Sequence, residues 1–115
     1  MYEIIAILNQ SKIISQLEIL ELVDESSVQS IRIKTKLMDG STLFIHETVS
    51  ERGHKYSYHW QDEDNKLLLR WDNAPHYKEI ETFPHHKHIG ERLEPTYKLS
   101  VNEVLQHIKI VLGNR

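Results

Sequence analysis

Apolar and polar residues alternate through the middle of the chain with the period of two that marks half-buried strands. Ile31, Ile33, Thr35 and Leu37 alternate with Arg32, Lys34 and Lys36, the chain turns at Met38-Asp39-Gly40, and Leu43, Ile45 and Val49 then alternate with Phe44, His46 and Thr48. A two-residue Asp-Gly turn would pair Leu37 with Thr42 and oppose the two apolar faces. A three-residue loop with Gly40 in the left-handed conformation pairs Ile33 with Ile45 and brings the apolar sets to one side, so that turn is expected. The same test on Tyr56, Tyr58, Trp60 and on Leu67, Leu69, Trp71 predicts a loop from Asp62 to Asn65, with Trp60 opposite Leu67, Tyr56 opposite Trp71 and Lys55 opposite Asp72. A connection over Glu51 to His54 sets Val49 against Tyr56 and Ile45 against Trp60. These registers align Arg32, His46 and His59 in one row of the polar face and Thr48, Ser57 and Arg70 in the next.

The flanks read less regularly. Ile4, Ile5 and Leu8 predict a short helix from Tyr2 ending near Asn9. From Ile14 to Val23 the alternation breaks between Ile19 and Leu20, as in a bulged strand or one buried on both faces. Beyond Trp71 the pattern lapses until Ser100, and Pro75, Pro84 and Pro95 disfavour regular pairing there. That makes an ordered loop of more than about 20 residues, a length that is usually functional or mobile in a compact domain. Ser100 with Glu103 forms a capping box, followed by Val101, Val104, Leu105, Ile108, Val111 and Leu112 at helical spacing until Gly113. The expectation is one α+β domain over residues 1–115. It comprises an antiparallel meander of about five strands, a short N-terminal helix, and a C-terminal helix packed on the aromatic face, covering Tyr56, Tyr58, Trp60 and Trp71.

Composition narrows the class. The chain of 115 residues is 39% hydrophobic and 27% charged, as expected for one soluble globular domain. It has no leader-like or membrane-spanning run. With no cysteine, disulfides and thiolate metal sites are excluded, in agreement with a cytoplasmic protein. A formal net charge of -3 argues against a non-specific polyanion binder, although eight histidines leave room for a local patch. The stripe Arg32, Lys34, Lys36 reads first as a solvated strand face. Glu47 falls on the apolar side between Ile31 and Tyr58 and needs a partner if buried.

The densest titratable stretch is RWDNAPHYKEIETFPHHKHIG, Arg70 to Gly90, which holds four of the histidines at 76, 85, 86 and 88. In an extended segment His86 and His88 point the same way, and in a helical turn His85 and His88 do. Either pair, with His76 or Asp72, could ligate a metal, although no established ligand spacing is present. The plainer reading is a turn at Asp72-Asn73, with histidines tolerated on a surface.

The run from Tyr56 to Gly90 resembles the TumE-type toxin family of bacterial and archaeal toxin-antitoxin modules. The family pattern is a tyrosine-rich strand, an aromatic residue followed by Asp-Asn-Ala and a nearby histidine, then His-x-His before a glycine. Here these are Tyr56 and Tyr58, Trp71 to Ala74 with His76, and His86 and His88 before Gly90. The resemblance implies a cytoplasmic toxin silenced by a cognate antitoxin protein, with RNA or translation as its target and no required cofactor. RNA cleavage needs a base for the 2'-hydroxyl, an acid for the leaving oxygen and a cation for the transition state. The expected catalytic set is therefore His76, His86 and His88 with Arg70 and Asp72, where Asp72 orients a histidine. Lys87, Asn73, Arg32, His46 and His59 are the expected substrate-side residues. The alternative is a non-catalytic binding module whose histidine loop contacts a partner protein or a metal ion.

Overall fold

The computed structural model describes residues 2–113. Helix α1 (Tyr2–Gln10) leads into strands β1 (Ile14–Asp24), β2 (Val28–Leu37), β3 (Thr42–Ser50), β4 (Gly53–Gln61) and β5 (Leu67–Asp72). Strands β6 (His86–Ile89) and β7 (Arg92–Pro95) and helix α2 (Val101–Gly113) complete the chain. The seven strands form one antiparallel meander in sequence order, two more than the alternation predicts. The missed pair carries HKHI and RLEP. HKHI shows no apolar-polar contrast and RLEP is only four residues ending in a proline, so period-two reading passes over them, and Gly90, at φ 57°, makes their hairpin turn. Pro95 is accommodated because β7 is an edge strand.

One face of the sheet carries the core. Ile31, Ile33, Ile45, Tyr58, Trp60 and Trp71 pack with Leu8 of α1 and with Val101, Val104, Leu105 and Ile108 of α2. The aromatic face is thus under the last helix, as the apolar stripe of that helix implies. Glu103 accepts the Ser100 backbone N–H at 3.1 Å, which closes the cap. In β1 the broken alternation is a bulge: pairing jumps from Ile19↔Ile33 to Glu21↔Arg32, leaving Leu20 as the extra residue.

Registers set the opposite, helix-free face. Ile33 pairs with Ile45 as expected, with Gly40 at φ 90°. The next two hairpins are each slipped by two residues from the expected pairing. Ser50 pairs with Gly53 across a tight turn, so Ile45 meets Tyr58 and Leu43 meets Trp60, not Val49 with Tyr56. A bulge at Trp60/Gln61 then pairs Tyr58 with Trp71 and Ser57, not Lys55, with Asp72. A slip of two keeps every side chain on its expected face but changes its neighbours. The expected row of Arg32, His46 and His59 is therefore replaced by two rows. Arg32, His46, Ser57, Asp72 and His86 form the first, and Lys34, Phe44, His59, Arg70 and His88 the second.

Helix α2 supplies a direct test of this packing. Ile108 is fully buried and Ile110 is 64% exposed. Ile108→Ala is expected to cost about 2–5 kcal/mol of unfolding free energy by chemical denaturation, and Ile110→Ala about 0.5 kcal/mol or less.

Candidate functional site

Asp72 is the last residue of β5 and is buried on the open face. Its Oδ1 accepts the Ala74 backbone N–H at 3.0 Å and faces His86 Nε2 at 2.9 Å. Its Oδ2 accepts Arg70 Nε–H at 3.1 Å, and His88 Nε2 lies 3.7 Å away. His86, 1% exposed, directs its other nitrogen, Nδ1, at the Pro84 carbonyl 2.9 Å away. His86 is thus enclosed between the Asp72 carboxylate and the Pro84 carbonyl. Tyr77 closes the group from the loop, its ring edge-on to His86 and His88.

Arg70 extends the group toward the sheet centre. Its Nη1 donates to His59 Nδ1 at 3.3 Å, which leaves His59 Nε2–H to donate to Gln61 Oε1 at 3.1 Å. His59 is therefore a neutral ring with a fixed tautomer. Its pKa is lowered from the ordinary value, first by burial and further by Arg70. His46 is likewise lowered by burial and by Arg32, and His88 by burial, with Asp72 opposing.

Two open depressions of about 400 and 660 Å³ share His46, Ser57 and Arg70 and so form one continuous groove. Arg32, Phe44 and His59 line its central part. Arg52, His54, Lys55, Asp72 and His76 line the part at the sheet end. Among the described residues lining it, Asp72 is the one carboxylate, and its oxygens are already occupied. The groove is accordingly cationic in a chain whose net charge is -3.

The expected site residues divide as follows. Arg70, Asp72 and His76 share the groove end; Arg32, His46 and His59 share its centre. His86 and His88 meet Asp72, but the burial of His86 removes it from contact with any substrate. Lys87 pairs with Trp71 and therefore faces the helix side, away from the groove. Asn73 ties the loop to β4: its Oδ1 accepts Tyr56 N–H at 2.9 Å and its Nδ2 donates to the His54 carbonyl at 2.8 Å. It thereby continues the β4–β5 ladder with side-chain atoms. His54 was not an expected site residue, although Glu47, its partner across 2.7 Å, was marked by needing one.

One ligand atom each from Asp72, His86 and His88 falls within 4.8 Å of the others, the spacing of a two-histidine, one-carboxylate cation site. The donor set does not fit that role well. The Arg70 guanidinium and the Ala74 N–H already occupy the carboxylate, and a divalent ion would add positive charge beside Arg70.

Fold and groove define a small α+β protein with a cationic, imidazole-lined open face. The family model described as Toxin TumE matches residues 4–113, so the chain belongs to the TumE toxin family. No curated protein and no solved structure matches it. No helix among the described residues is long and apolar enough to cross a membrane.

Two expectations follow. Asp72→Ala removes the acceptor of the Ala74 and Arg70 N–H groups beside the buried His86 ring and should cost about 1–3 kcal/mol of stability in denaturant titrations. For His46 and His59 the native state holds protons less tightly than the unfolded chain, whose value is near 6.5. Stability from this source is present above that value and is lost as pH falls through it toward the lowered native values. The thermal midpoint should drop between about pH 7.5 and pH 5.5, and His46→Gln with His59→Gln should flatten the profile.

Proposed function

We propose that this toxin acts on RNA, which it holds in the open-face groove and cleaves without a metal ion. The observation that supports the reading is the groove lining: Arg32, Arg70, Arg52 and Lys55 beside His46, His59 and His76, with its single carboxylate already engaged. A phosphodiester backbone meets there a row of cations and of rings able to exchange protons. Arg70 is held by Asp72 and His59 and still presents its outer guanidinium N–H groups to a phosphate. His46 and His76 line the groove with Arg70 and, on this reading, are the rings that exchange protons with the substrate. Phe44, half-buried in the central part, offers a face on which an unpaired base stacks.

The roles of Asp72 and His86 in this scheme are to aim Arg70 and to anchor β6, not to touch substrate. An antitoxin, the partner that membership of a toxin family suggests, silences the protein by covering this groove or by distorting it.

The reading is tested by inducing the wild type, Arg70→Ala, Arg70→Lys and His46→Ala without antitoxin while following growth and the integrity of cellular RNA. Wild type should arrest growth and fragment RNA. Arg70→Ala should lose about 10²-fold or more in cleavage of a single-stranded RNA by the purified protein, with Arg70→Lys recovering part of it. Growth arrest with intact RNA would discard RNA cleavage and leave a toxin with another target.

A further inference from the structure

At the groove end, on the side facing the helices, lies a second carboxylate-imidazole group that the reading above leaves unused. Glu47 of β3 is 8% exposed. Its Oε2 accepts the Tyr58 hydroxyl at 2.8 Å, and its Oε1 meets His54 Nε2 at 2.7 Å. Tyr58 is fully buried, and burial with the adjacent Glu47 charge raises its pKa, so it acts here only as a donor. The carboxylate is thus fixed from one side by a phenol and presents its other oxygen to the imidazole. The His54 carbonyl is in turn held by Asn73 Nδ2. The backbone of His54 and one edge of its ring are both restrained.

Unlike His86, His54 reaches solvent. Its side chain is 29% exposed, and it lines the 660 Å³ part of the groove together with Arg70, His76, Arg52 and Lys55. Because Nε2–H donates to Glu47, the free lone pair is on Nδ1. A carboxylate that fixes the tautomer and stabilises the ring once charged is the arrangement by which imidazoles serve as general bases.

We propose that His54 is the catalytic base of this toxin, with Glu47 and Tyr58 as its positioning residues and the 2'-hydroxyl of a single-stranded RNA as the group it deprotonates. The proposal rests on the RNA reading and specifies its chemistry. His54 Nδ1 takes the proton from the 2'-hydroxyl, O2' forms a bond to the adjacent phosphorus, and the bond from phosphorus to O5' breaks. The leaving O5' takes a proton from His76 across the groove, while Arg70 balances the charge on the phosphoryl oxygens. The products are a 2',3'-cyclic phosphate and a 5'-hydroxyl, with no oxidant or co-reactant consumed.

The test uses the full-length purified protein and a fluorescent single-stranded RNA, with cleavage rate, RNA affinity and thermal midpoint measured separately. His54→Ala should cleave about 10²–10⁴-fold more slowly than wild type while binding RNA as tightly. Added imidazole should restore part of that rate, which a purely structural role for His54 does not allow. Glu47→Gln, which keeps an oxygen acceptor but removes the charge, should lower kcat and leave KM unchanged. Fragments should end in cyclic phosphate. A His54→Ala protein that cleaves at the wild-type rate, or one whose lost activity imidazole does not restore, overturns the assignment while leaving the RNA reading standing. A wild type that leaves RNA intact overturns both.

Discussion

The Asp72 carboxylate gathers N–H groups from both sides of the strand it terminates, and the placement of the whole open face follows from that convergence. Ala74 and Arg70 donate to it from its own segment, and His86 reaches it from the next strand. A buried carboxylate left unpaired is costly, so these partners must arrive together. Their arrival docks β6 against the end of β5, places His88 beside Arg70, and swings the guanidinium toward His59. Without it β5 would be the sheet edge, and the thirteen residues between Asp72 and His86 would have nothing to close against.

A second carboxylate solves the same problem on the other face. Glu47 and Asp72 lie at the same end of the sheet, on strands β3 and β5 that flank β4, and each is satisfied by a histidine. Asn73 sits between them and uses its side-chain amide where the next ladder hydrogen bonds would fall. The apolar core therefore stops at Tyr56 and Tyr58, and beyond it the interior is a polar network with every group paired. Such networks fix one arrangement because partial satisfaction is worse than none. The fixed geometry is what lets two imidazoles of different character stand at the same end of the sheet: His86, enclosed beside Asp72, and His54, held at Nε2 by Glu47 and partly exposed.

The sequence discloses faces more readily than neighbours. Alternation assigns Arg32, His46, His59 and Arg70 to the polar side and Tyr58, Trp60 and Trp71 to the core, because a strand side chain has only two choices. Gly40 fixes the first hairpin because its left-handed conformation permits one loop length. The second turn also has a left-handed glycine, Gly53 at φ 108°, but the expected longer connection over Glu51 to His54 absorbs it, and nothing marks the bulge at Trp60/Gln61, so both later registers slip by two without disturbing any face. The site suffered more from this than the fold did. The partner of Asp72 across β4 became Ser57, and the row assigned to His59 passed to Asp72 and His86. Strand β6 escaped notice because its alternating residues, His86 and His88 against Lys87 and Ile89, carry no contrast in hydropathy. His54 escaped because its partner Glu47 is local to the β3–β4 hairpin and only the true register brings the two within 2.7 Å.

Charge is distributed in a way that bears on how such a groove would meet a polyanion. Glu18, Glu21 and Asp24 of β1 and the loop Asp62-Glu63-Asp64 carry much of the negative charge, and Glu21, paired opposite Arg32 and acting on His46, makes the β1 side of the groove its less cationic side. A polyanion therefore gains nothing from the field of the protein at long range, since charges more than about 8–10 Å apart are largely screened at physiological ionic strength. Attraction begins only where a phosphate is already close to Arg32, Arg70, Arg52 or Lys55. A stiff duplex, which must present many phosphates at once, is poorly matched to so short a cationic track. On the RNA reading proposed above, a flexible single strand would fit it better, bending one or two phosphates into the groove and laying a base on Phe44.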